Sequence, residues 1–396
     1  MDWTRLVIDT RSESRLCIDE GRIMNRYGRI IVLALILAVV PATALAGSRP
    51  SVVPGAWRTI APAPFSIPQG QTSVWTGRQL IVFGRRPVVN PAVDVAEAYD
   101  PAADSWMRLA PLPGPDYVPG YKAVWTGKQM LAFGAFHSVA FTPATGKWRE
   151  LRRSVQGGTV VWTGREAIGW GGGCCGDAWS NGTAYNPATD TYRPLPRSPL
   201  AASQRPLGAW TGRELVVLVS GIDPEGQPYP ARLARAAAYN PRTNSWRRIA
   251  PLPAVGLRLD GNAVWDGREV LVTGVGGRAT GAFAYNPTTN RWRRLASLPA
   301  ARLGATGVWT GSQLILWGGQ SSHASLPGGL RTGFAYEPRT NRWSAISPAP
   351  TRAGGTTVAW TGRELLVWGG VIGTPAGTDT PPRYLRDGAA FRPATP

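Results

Sequence analysis

The chain has 396 residues, enough for one large domain or two to three ordinary ones. Its 43 Lys+Arg against 24 Asp+Glu leave a net charge of +19, and only Lys122, Lys128 and Lys147 are lysines. Abundant Gly (48) and Pro (36) punctuate short strands, which argues against a helical chain and for an all-β fold with many turns.

The positive charge is almost all arginine. Arginine suits planar contacts with carboxylates, phosphates and aromatic faces. A GC-rich genome is an equally good source of the same bias.

The first element is a targeting signal. Arg26 and Arg29 precede an apolar run from Ile30 to Val40, and Ala44-Leu45-Ala46 has the small-residue pattern of a cleavage site. The run of 11 residues falls short of the roughly 20 that a membrane-crossing helix needs. Residues 1–46 are therefore expected to be an upstream extension followed by a signal peptide, the signal proper being 24–46. Residues 47–396 form a mature chain, exported to the envelope, periplasm or medium and free of the membrane after cleavage. Cleavage removes Cys17 and leaves the neighbours Cys174 and Cys175.

From there on the chain repeats itself. Trp75, Trp125, Trp162, Trp210, Trp265, Trp309 and Trp360 each open W-T-G or W-D-G, at spacings of 50, 37, 48, 55, 44 and 51 residues. Each continues, in most copies, with Arg or Lys, then Glu or Gln, then an apolar run ending at Gly. A second motif follows: Tyr99-Asp-Pro before Trp106, Phe141-Thr-Pro before Trp148, Tyr185-Asn-Pro before Tyr192, Tyr239-Asn-Pro before Trp246, Tyr285-Asn-Pro before Trp292 and Tyr336-Glu-Pro before Trp343. The two aromatics are always seven residues apart.

The pattern reads as four strands per repeat. An apolar strand enters the W-T-G, whose Gly tolerates the positive φ of a tight hairpin turn. A buried strand returns. The Tyr ends a third strand, and the later Trp faces it across the next hairpin. Repeats near this length made of four strands are propeller blades. The seventh copy reaches Phe391-Arg-Pro without a partner Trp, and Gly55-Ala-Trp57-Arg-Thr-Ile-Ala-Pro supplies the missing piece. The N-terminal strand is thus expected to close the last blade and remove an open edge.

An apolar strand, Gly-Gly, then Tyr and Trp at fixed separation resembles the kelch repeat. The mature chain is similar to a secreted seven-bladed kelch propeller, the group that includes the propeller of galactose oxidase. It departs from that pattern at Gly84, Gly134 and Gly221, where the Gly pair is single, and at Tyr192, which replaces Trp. A copper-radical oxidase of that group needs two His and a Tyr–Cys pair around one metal. Here the only His are His137 and His323, in non-adjacent blades. No copper site, no other metal and no cofactor is therefore expected.

Repetition separates scaffold from site. A residue present in every blade serves packing and turning, so W-T-G-R-E is scaffold, with its Arg–Glu neighbours expected to pair locally or cap the turn. Past the signal, Trp179 is the one tryptophan out of register, and Tyr117, Tyr121, Tyr229 and Tyr384 are the tyrosines out of register. They fall in or beside the long variable loops, the usual seat of binding on a rigid scaffold. Arg205, Arg258, Arg302 and Arg352 stand where the chain enters the innermost strand. They are read either as an anion-binding ring or, more in keeping with repetition, as residues bonding neighbouring carbonyls. Cys174 and Cys175 can form a strained vicinal disulfide, two free thiols or part of a metal site, and the disulfide ranks first because of export.

The ligand-binding candidates are Trp179, Asp177, Arg205, Arg258, Arg302, Arg352, Tyr117 and Tyr121. The expected partner is an acidic glycan or cell-envelope polymer, or a protein, met by a monomer with no specific nucleic acid. A hydrolase, lyase or sugar epimerase stays open as the alternative, drawing on the loop carboxylates Asp116, Asp177, Asp223, Asp260, Asp379 and Asp387. No catalytic residue is assignable.

Overall fold

In the computed structural model the chain divides into Met1–Ser48 and Arg49–Pro396. The structure describes residues 51–67, 69–86, 93–113, 121–134, 137–173, 177–220, 235–253, 259, 261–275, 280–321, 329–351, 357–372 and 383–394. These form seven four-stranded antiparallel sheets and one two-stranded ribbon. The chain starts with β1 (Gly55–Ile60), then β2 (Gln69–Trp75), β3 (Leu80–Arg86), β4 (Val93–Asp100) and β5 (Ser105–Arg108). The last four pair in that order as blade one. The first strands of successive blades touch one another in turn, and Thr357–Trp360 of blade seven touches β2, so the innermost strands form a closed ring.

Closure is as the sequence predicts. β1 pairs with Gly388–Pro393 as the outermost strand of blade seven, with Trp57 opposite Phe391. Before it, Val52 bridges Ala345 in parallel, Ser51 Oγ bonds Ser344 Oγ at 2.7 Å and Val53 N–H donates to Ala345 O at 2.8 Å. The N-terminal segment therefore holds the outer strand of blade six as well as completing blade seven.

The two recurring aromatics face each other in every blade. Their ring centroids lie between 4.5 and 5.2 Å apart. Each such cross-strand pair contributes about 0.2–1 kcal/mol. The outer aromatic also ties its blade to the preceding one. Trp106 Nε1 donates to Ala61 O at 2.8 Å, Trp246 to Pro196 O at 3.0 Å, and Trp57 closes the ring by donating to Ser347 O at 2.9 Å. In the third blade the Tyr192 hydroxyl does the same to Arg153 O at 2.7 Å. A phenol thus replaces the indole without losing the bond.

The W-T-G turn differs from expectation in one respect. The Thr hydroxyl, not the Arg–Glu pair, satisfies the turn: Thr211 Oγ1 accepts from Glu214 N–H at 3.0 Å, and Asp266 Oδ1 does so for Glu269 at 2.6 Å. Gly212 and Gly267 take φ of 83° and 97°. The Glu reaches instead to the Arg after the outer aromatic. Arg193–Glu166, Arg247–Glu214 and Arg293–Glu269 approach to 2.7 Å, and Arg58–Glu364 to 3.0 Å. That Arg then bonds the Tyr hydroxyl of the next blade, as Arg193 does to Tyr239 at 2.7 Å and Arg149 to Tyr185 at 3.0 Å. The motif residues form a polar girdle linking neighbouring blades.

Candidate functional site

Alternating strands put the W-T-G and Tyr-x-Pro turns on one end of the ring and the variable connections on the other. On the variable-loop end, residues 171–173 and 177–181 fold onto residues 198–206. Gly171, Gly172 and Gly173 take φ of 70°, 103° and 132°, a path closed to larger residues. A Cβ on Gly173 would lie 2.1 Å from Asp177 O. The loop is then pinned by backbone bonds: Gly172 N–H to Ser203 O at 2.8 Å, Trp179 N–H to Gly172 O at 2.9 Å and Ser203 N–H to Trp179 O at 3.0 Å. Gln204 Nε2 donates to Asp177 O at 2.8 Å.

This folding brings together three of the sequence candidates, Asp177, Trp179 and Arg205. All three are exposed, Trp179 at 42%. Across the channel mouth stands Lys122, the first residue of the innermost strand Lys122–Trp125. The residue is exposed overall, yet desolvation by the surrounding protein lowers its pKa, and the Arg205 charge lowers it further. Neither cation has an ion-pair partner among the described residues. Sequence reasoning missed Lys122. Its signal was available, since it is one of three lysines and sits where the other blades place the uncharged Thr72, Thr159, Leu207, Asn262, Thr306 and Thr357.

Other candidates lie elsewhere. Arg302 is 5% exposed and gives its guanidinium to Gly318 O at 3.1 Å, Thr332 O at 3.0 Å and Thr332 Oγ1 at 2.7 Å. It binds carbonyls, as repetition suggests, and burial pushes its pKa down to about 10. Tyr121 is 3% exposed, packed on Phe83 at 4.4 Å with its hydroxyl 3.5 Å from His137 Nδ1. His137 Nε2 lies 3.2 Å from Glu150 Oε1. Tyr117, Arg258, Arg352, Cys174 and Cys175 lie outside the described residues.

Solved structures with the same arrangement include a fungal alcohol oxidase of the AA5 family in complex with copper. It is 15% identical, covering 86% of this chain and 76% of that one, with a TM-score of 0.64. They also include YjhT, 13% identical over 73% of this chain and 99% of its own, with a TM-score of 0.52. The fold is a seven-bladed β-propeller. At these identities the likeness concerns the fold alone. No protein-family model and no curated protein matches the sequence. Among the described residues, no three His, Cys, Asp or Glu converge as a metal site.

Proposed function

We propose that this kelch propeller is exported and binds an acidic glycan or envelope polymer at the channel mouth of its variable-loop end. The supporting observation is the pair Lys122 and Arg205, two cations with no ion-pair partner among the described residues, beside the exposed indole of Trp179. Like charges held together without a counter-ion are stabilised by an anion that enters between them. An indole face packs on the apolar face of a sugar while guanidinium and ammonium take its carboxylates. Asp177 on the rim can accept from sugar hydroxyls. The lowered pKa of Lys122 also favours a second reading, a carbohydrate-active enzyme with Lys122 as base, because such a lysine is more readily neutral.

A panel of acidic and neutral glycans, scored for binding and for product, tests both. Protein recovered from the medium for this assay should begin at or near Gly47. Lys122→Met and Trp179→Ala should each weaken acidic-glycan binding about tenfold without lowering Tm, and binding should fall as salt rises. Affinity unchanged in both variants would refute the site. Product formation abolished by Lys122→Met would establish the enzyme reading.

A further inference from the structure

The opposite, short-turn end holds a second opening, which the channel-mouth reading does not involve. It lies where the polar girdle is interrupted. At the junction of blades six and seven Gln313 stands for Glu, Ser344 for Arg and Phe391 for Tyr, so the bridging contacts are lost together. The junction of blades one and two has Gln79, Met107 and Phe141, keeping a long side chain where blade six has a serine. Ser344 is small because Ser51 lies against it.

A cavity of about 1520 Å³ opens at the junction of blades six and seven. Pockets for drug-sized ligands run to roughly 300–1,000 Å³, so this larger space suits an extended ligand. Ile315 and Phe391 form its apolar back wall, and the half-buried indoles of Trp309 and Trp360 stand at its sides. Arg268, Arg339 and Arg363 reach its rim from three different turns. Among the described residues only their backbone N–H groups are engaged, each within its own turn. The rim acids are partly spent: Asp266 Oδ1 and Glu337 Oε1 accept those turn N–H groups.

We propose that this cavity is a second binding site, taking a linear acidic oligosaccharide of the uronate class. Three guanidinium groups without ion-pair partners among the described residues call for carboxylates at intervals. Two indoles supply the stacking faces that sugar rings use. A peptide would seek a free strand edge for main-chain pairing. The outer edge of blade six is already occupied by Ser51–Val53, so recognition falls to side chains.

Titration calorimetry of the full chain with oligogalacturonate tests this. In a Lys122→Met, Arg205→Gln background the channel mouth is disabled, and the remaining binding reports the cavity. Adding Arg339→Gln and Arg363→Gln should weaken that binding about tenfold or more with Tm unchanged. The inference is overturned by absence of binding in the background variant, by unchanged binding after the rim substitutions, or by oligoglutamate binding as tightly as the sugar. Failure of the channel-mouth reading shows separately, as no loss on Lys122→Met and Arg205→Gln.

Discussion

At the scale of single residues, the least obvious determinant is the Asp or Asn five positions after each Tyr. Asp104, Asp190, Asn244, Asn290 and Asn341 all take φ between 45° and 53°, and each accepts the Tyr hydroxyl of its own hairpin. In blade two the Tyr is Phe141, with no hydroxyl, and the position is Gly146 at φ 65°. Backbone conformation and hydrogen bond are thus separate demands that Asn meets together. Asn290 Oδ1 accepts from Tyr285 at 2.9 Å and from Ala250 N–H of the previous blade at 3.0 Å. Asn290→Gly should cost about 1–3 kcal/mol for the two bonds. Asn290→Ala should cost roughly 1–2 kcal/mol more, for the left-handed backbone. Denaturant unfolding of the two variants compares them; equal losses would show that φ imposes nothing there.

At the scale of elements, the N-terminal segment carries more than its length suggests. β1 supplies six residues of register to blade seven, the Trp57 indole bonds blade six, and Ser51–Val53 lie along the blade-six edge. Removing Gly47–Ser66 strips all three at once and leaves the strand Gly388–Pro393 with an unpaired edge. The truncated chain should aggregate or melt far below the intact one. A monomer with unchanged Tm in light scattering and calorimetry would contradict this closure.

At the scale of the whole molecule, the girdle repeats one titratable group around the ring. Burial raises the phenol pKa of Tyr99, Tyr185, Tyr239, Tyr285 and Tyr336, and that of Tyr192 to about 12. In the unfolded chain these phenols titrate near 10. The folded state therefore holds more protons between those values. The stability they contribute is complete below about pH 10 and is lost as pH rises through the folded pKa of about 12 for Tyr192. Tm should fall steeply across that window, with phenolate absorbance appearing together with unfolding. Normal phenol ionisation near pH 10 in a folded protein would be the contrary result.

The blade count, the four-strand unit and the pairing of Trp57 with Phe391 were legible in the sequence, because each rests on local periodicity that seven copies repeat. So was the role of Trp179 as an outsider to that repetition. Repetition could not show that Glu166 pairs with Arg193 rather than with its neighbour Arg165. That partner comes from the outer strand, 27 residues on, and only the twist of the blade brings it near. Repetition suggested that the entry arginines bond carbonyls, but not that Arg302 does so buried while Arg205 is exposed. Arg205 stands five residues before Trp210 and Arg302 seven before Trp309, so each meets different loops, and loop packing sets its surroundings. The meeting of Lys122 with Arg205 spans two blades, and the cavity between blades six and seven arises from three substitutions scattered over 79 positions. A ring joins residues by angle around its axis, not by distance along the chain, so such juxtapositions exist only once the ring has closed.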